Sequence, residues 1–264
     1  MLSRFIILLI LLSSCYSPRY VYSPVTQNIP LLSKKKDLKL GAYAAGGLGS
    51  NDLRAYKDGS NFGFDIHGAY AFTNHVAVMI NFYNRWERNG SDNDIVAGDS
   101  IIIKYRRNLV EAGIGYFSSL GQNTAFQFFS GVSSGKFYIN ESPALGRTSS
   151  GRFHFSKVVK IFIQPAIISG MHQNFTAAFS SRFSMVNYSA VQTDYSPSEL
   201  HDYFLSDLSS SPVFFWEPAM DYSFGFKKIP HIKLEVQIGL AILMNSRFVD
   251  YRTVNLGLGI TTSL

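Results

Sequence analysis

Ionisable side chains recur on one side of several alternating runs in this chain: Asp65, His67, Arg85, Glu87, Glu111, Lys160, Arg182, Glu217, Asp221, Lys233 and Glu235. Both signs are present. If these groups converge out of water, each charge needs a partner, because an uncompensated buried ion is costly. The expected chemistry is a salt-bridged network that fills and closes an interior. The alternative is a narrow passage whose ion preference the same charges would set. A hydrolytic centre of serine, histidine and acid is a third arrangement to weigh. The histidines are His67, His75, His154, His172, His201 and His231, and none sits in a Gly-x-Ser-x-Gly or His-Glu-x-x-His setting. A single cysteine excludes a multi-cysteine zinc site and an internal disulfide framework. No catalytic residue, metal ligand or cofactor is assigned.

The elements that must position these charges are strands. In Ile232-Lys233-Leu234-Glu235-Val236-Gln237-Ile238, one face is aliphatic and the other polar. Phe62, Phe64, Ile66, Gly68 and Tyr70 alternate with Gly63, Asp65, His67 and Ala69, and similar runs cover 214–226 and 253–264. Period two over such lengths means β-strands with two chemically different faces. About ten strands are expected, near 38–49, 61–72, 75–87, 100–118, 124–138, 152–169, 175–189, 212–227, 231–245 and 251–264. Their connections alternate between tight turns rich in Gly, Asn and Pro (73–74, 121–123, 170–174, 228–230) and longer polar loops. Pro165 and Pro218 fall inside strands, where a missing N–H predicts bulges or strand ends that lie elsewhere. Gly113, Gly115, Gly257 and Gly259 lack a following helix and read as space for neighbouring side chains rather than phosphate loops.

Only 16% of residues are charged and 15% are aromatic, so the chain shows apolar surface to something other than water. The net charge of +6 is spread along the strands, apart from Lys34-Lys35-Lys36 with Lys39. Nucleic acid is not an expected partner. A soluble barrel would turn a Lys/Glu-rich face to water, yet here the polar face is mostly small and weakly polar. The remaining solution is an apolar exterior covered by lipid. Aromatics at strand ends (Tyr70, Phe72, Phe82, Tyr83, Trp86, Tyr116, Phe117, Phe137, Tyr138, Tyr251) are expected to form interfacial girdles. From Lys39 to Leu264 the pattern resembles the outer-membrane β-barrel proteins of Gram-negative bacteria. That resemblance implies an all-β, antiparallel, up-and-down transmembrane barrel over residues 38–264, with tight turns in the periplasm and long loops outside.

At the N-terminus, Arg4 precedes the apolar run 5–12, and Ser13-Ser14-Cys15 follows. The order predicts a signal peptide over 1–14, with an apolar run too short to span a bilayer. Leu12-Ser13-Ser14-Cys15 resembles the bacterial lipobox, which implies lipid attachment at Cys15. Pro18, Pro24 and Pro30 favour extended chain, so 15–37 is expected to be a tether on the periplasmic side. Within the long loop 190–211, Ser196-Pro197-Ser198-Glu199 has the form of a capping box. The helix it starts is expected to lid the outer mouth. The role expected is structural or accessory within the envelope. The partners are outer-membrane lipid and, through the outer loops, another envelope protein. A small channel is the alternative, and a lipid-modifying barrel enzyme a more distant one.

Overall fold

In a computed structural model the described residues are 19–48, 60–91, 101–143, 151–170, 174–245 and 249–264. Cys15 and the expected signal peptide lie outside them, as do His172, parts of three long connections and residues 246–248. The strands are β1 (Tyr20–Tyr22), β2 (Leu38–Leu48), β3 (Ser60–Ala71), β4 (Val76–Ser91), β5 (Ile101–Ser119), β6 (Thr124–Pro143) and β7 (Arg152–Ser169). They continue with β8 (Phe175–Thr193), β9 (Val213–Phe226), β10 (Ile229–Leu240), β11 (Ile242–Leu243), β12 (Asp250–Tyr251) and β13 (Val254–Ser263). One short helix, α1 (Pro197–Asp202), lies between β8 and β9.

Strands β2 to β10 each pair with the next in antiparallel register, and β13 joins β10 back to β2. The result is a closed barrel of ten strands, with β11 continuing β10 past Ala241. Closure joins the ends of the wall sheet, so its strands offer no long open edge to solvent or lipid. The expected spans agree with these strands to within a few residues at most ends. The exceptions are the loop-side ends of β4, β6 and β8, which run several residues beyond the expected ones. At the other end sit the tight turns. Gly170 takes a positive φ of 80°, and a Cβ there would lie 2.5 Å from the Phe175 carbonyl oxygen. The two ends are called here the turn end and the loop end.

The expected bulges at Pro165 and Pro218 are absent; both residues lie in strands of unbroken register. Each proline turns its missing N–H toward one neighbour only. The β7–β8 ladder lapses between Ile163 and Ala166, and the β9–β10 ladder lapses beyond Ala219; both resume in the same register. A local gap replaces the bulge. Register shifts in the barrel wall occur elsewhere: in β7–β8 between Phe155 and Lys157 near the loop end, where Ala190 adopts a φ of 48°, and in β9–β10 between Ile229 and Lys233 beside a turn.

The outside of the wall is apolar, as with Ile80 at 62% and Leu258 at 59% exposure. Of the expected girdle aromatics, Tyr70, Phe72, Trp86 and Tyr116 face out, whereas Tyr83, Phe117, Phe137 and Tyr251 are buried inside. Adjacent residues of a strand point to opposite faces, so a pair such as Tyr116-Phe117 cannot both join a girdle.

The larger departure concerns the segment before β2. Residues 21–30 are all buried. They are not a tether beside the barrel; they run along its inside. The segment starts at the loop end, where β1 pairs in parallel with β12, and finishes at the turn end, where the Lys36 N–H bonds the Ala71 carbonyl at 2.7 Å. Its prolines enforce extension as expected. The free energy of burying Val21, Tyr22, Val25, Ile29 and Leu32 favours the lumen over water.

Candidate functional site: a lumen filled by its own chain

The lumen is built in two layers, wall and filling. On the wall, every ionisable residue expected inside points inward, and all are buried except the half-buried Lys233, whose ammonium donates to Thr176 Oγ1 (3.0 Å). The charges meet across the bore. Arg182 donates to both Glu111 oxygens (3.1 and 3.2 Å), and Asn81, Tyr83 and Ser133 complete that carboxylate's partners. Lys160 pairs with Glu217 at 3.0 Å and Arg85 pairs with Asp65. Glu87 takes Arg107 and, at 3.3 Å, Arg252. Glu235 takes Lys39 at 2.9 Å, with Tyr43 and Thr261 as further donors. Asp221 accepts from Gln237 at 3.0 Å.

Lys39, Arg107, Glu141 and Arg252 were not among the residues expected inside. Period two places Lys39 and Arg107 on the inward face of their strands, so the alternation carried their signal. Arg252 lies in the connection between β12 and β13, where alternation gives no guidance.

Within this wall the filling segment is held through its backbone and its side chains alike. The Gln237 carboxamide accepts from the Gln27 N–H and donates to the Gln27 carbonyl (2.9 Å), as a neighbouring strand would. Gln164 donates to the Asn28 carbonyl (2.8 Å), Gln127 to that of Pro30, Lys39 to that of Ile29 (3.1 Å) and Tyr188 to that of Val21 (3.0 Å). The Thr26 N–H donates to Asp65 (3.1 Å). Side chains add the Tyr22 hydroxyl on Glu217 (2.6 Å) and Asn28 on Asn81 (2.8 Å). Buried backbone groups outside a sheet need such partners.

Space is provided as well. A Cβ on Gly257 would come within 2.4 Å of Thr26 Cγ2, and one on Gly259 within 2.3 Å of the Tyr43 ring.

Apolar clusters clamp both ends. Leu32 packs with Ala71, Ala77, Met79 and Phe117 near the turns. Val21 and Tyr22 join Tyr105, Phe137, Tyr188 and Phe215 near the loops, and Tyr22 stacks on Phe215 at 4.1 Å. Arg19, the first described residue, is buried there on Glu141. Its guanidinium lies 4.1 Å over the Tyr203 ring, and its N–H donates to the Tyr203 carbonyl (3.2 Å).

Above it sits the lid read from the sequence. α1 carries the reciprocal capping box of Ser196 and Glu199, and Leu200, Tyr203, Leu205 and Leu208 pack onto the loop-end cluster. Burial, with the Glu141 charge nearby, pushes the Tyr195 hydroxyl above its ordinary range.

Among the described residues the histidines other than His201 bond hydroxyl and carbonyl oxygens or pack on aromatic rings. His67 Nε2 meets Thr26 Oγ1 (3.1 Å), while His75 and His231 meet the carbonyls of Phe117 and Ser263. His154 is buried against Phe137 and Tyr195, and His201 lies on α1. Among the described residues no group of three or more His, Cys, Asp or Glu could hold a metal ion. No helix there is long and apolar enough to cross a membrane, which says nothing of strands.

What the side chains build is a closed, filled barrel. Among solved structures it is similar to Ail, the attachment invasion locus protein of Yersinia pestis (TM-score 0.34, 13% identity, covering 87% of this chain and 99% of that one). It is also similar to the toluene transporter TbuX of Ralstonia pickettii (0.35, 8%, 88% and 90%) and the outer membrane protein OpdK of Pseudomonas aeruginosa (0.26, 8%, 87% and 98%). Likenesses this remote decide nothing about the role of this chain. No protein-family model and no curated protein matches the sequence.

Proposed function

We propose that this chain is an outer-membrane β-barrel with a structural or accessory role in the bacterial envelope, non-catalytic and closed at rest. The observation that carries the reading is the occupied lumen: residues 21–30 lie buried among wall charges that already pair with one another. A charged, hydrogen-bonded interior inside an aliphatic and aromatic exterior is the inverse of a water-soluble protein, and lipid is the solvent that suits it. The lipobox-like stretch supports acylation at Cys15 as an additional anchor, and the outer loops are the surface open to another envelope protein. Tight turns on the periplasmic side and long loops outside complete the proposed orientation.

The test is reconstitution of the full chain in planar bilayers. No steady conductance is expected. Ohmic channels in most insertions would overturn the closed-barrel reading in favour of a pore. Mass spectrometry of the mature N-terminus tests the lipid separately, by the presence or absence of acyl mass on Cys15.

A further inference from the structure

We infer that the lumen acts as a conduit for the protein's own N-terminal segment, which enters it at Arg19 on the loop end, so that Arg19 and the outer loops share one face of the protein. The inference rests on the membrane reading above only for which face of the membrane that end occupies.

Three observations carry it. First, direction: from Arg19 to Leu32 the contacts pass in order from Tyr203 and Glu141 at the loop mouth, through Asp65, Gln237 and Gln164, to Ala71 at the turns. β2 then starts at the turn end, since the Leu38 N–H bonds Leu264 (2.9 Å). The chain therefore crosses the barrel once inside before it begins the wall.

Second, the segment is gripped at both ends. Val21 and Tyr22 are buried in the loop-end cluster, and Ile29 and Leu32 in clusters toward the turns. A wall glycine, Gly257, is matched to Thr26.

Third, the grip reaches the backbone as well as the side chains. Gln237, Gln164, Gln127 and Tyr188 take peptide groups, and from Tyr20 to Leu32 the segment carries no charge that could upset the paired wall.

The consequence is positional. Cys15 precedes Arg19 by four residues, which limits the reach to about 14 Å along the chain. An acyl group attached there would be tied to the loop mouth.

The experiment uses the full chain in intact cells. A sequence-specific protease site is inserted between residues 18 and 19, or alternatively in the loop 206–211, or in place of Lys227-Lys228 in a turn. Heat-shifted gel mobility verifies folding of each variant. The inserted site at 18/19 is expected to be cut together with the loop site, while the turn site is protected. Cleavage of the 18/19 site in step with the turn site would overturn the inference. If instead the turn site is cut from outside and the loop site protected, the proposed membrane orientation fails. The inference is then still decided by which of the two the 18/19 site follows.

A second variant avoids the insertion. With Cys15→Ser in place, Val25→Cys is expected to resist a water-soluble maleimide in the folded, detergent-solubilised protein and to react at least tenfold faster after heating. Equal rates before and after heating would contradict a buried segment.

Discussion

The wall and the segment it encloses solve the same problem, polar groups out of water, in different ways. The wall uses charge: Glu111 with Arg182, Glu217 with Lys160, Asp65 with Arg85, Glu87 with Arg107 and Arg252, Glu235 with Lys39. The segment contributes one charge, Arg19, at its mouth; below that its uncharged groups are held by carboxamides, hydroxyls, Asp65, Glu217 and Lys39, and by apolar ends. Wall charges pair mainly with wall charges, while Glu141 takes Arg19 from the filling, and Asp65 and Glu217 accept further bonds from Thr26 and Tyr22. A strand-like peptide can lie among ions only because those ions have already neutralised one another.

That contrast is sharpest where it can be broken. The largest effect is expected from Arg182→Ala, which strands Glu111 and Gln164 in the bore. Removing one partner of a buried pair costs about 3–5 kcal/mol. The midpoint of urea unfolding from detergent should fall by at least that equivalent, and Glu111→Ala should resemble it.

Leu32→Ala comes next. Cavity formation in the turn-end cluster costs about 2–5 kcal/mol, and it should loosen the segment while leaving the wall intact. Limited proteolysis near residue 36 should speed up with little change in barrel heat-modifiability. Loss of both together would show that wall and segment are not separable.

Gly257→Val tests the contact from the wall side. The added side chain meets Thr26, so maleimide labelling of Val25→Cys should rise several-fold in this background.

Gln237→Ala leaves the Gln27 peptide groups unpaired, at about 1–3 kcal/mol. The smallest effect is at the lid. Ser196→Ala removes the cap of a short, exposed helix for about 1 kcal/mol, and the Arg152–Glu199 pair, with Arg152 solvent-exposed, adds little. Backbone exchange in 197–205 should quicken while the bore is unaffected.

The sequence displayed the wall plainly because period two is a strong signal over ten or more residues. The same alternation that sorted Ile232, Leu234 and Val236 from Lys233, Glu235 and Gln237 also assigned the inward charges. The capping box at Ser196 was legible for a local reason: it is satisfied within four residues. The filling was not legible. Residues 20–32 have neither period two nor period 3.6, and their prolines describe an extended chain without saying what it lies against.

One signal stood in the composition. That stretch is uncharged and carries Val21, Val25, Ile29, Leu31 and Leu32, which is a poor makeup for a solvated linker and a good one for a buried strand. Girdle aromatics were misplaced for a simpler reason. Strand-end position was weighed ahead of face, and face decides for Phe117 and Phe137.

Hydrogen exchange measured by mass spectrometry on the folded full chain in detergent addresses the filled lumen most directly. Amides in a peptide spanning residues 20–32 are predicted to exchange as slowly as those of β5 and β6. Exchange there at the rate of an unstructured chain, with the strands still protected, would contradict it.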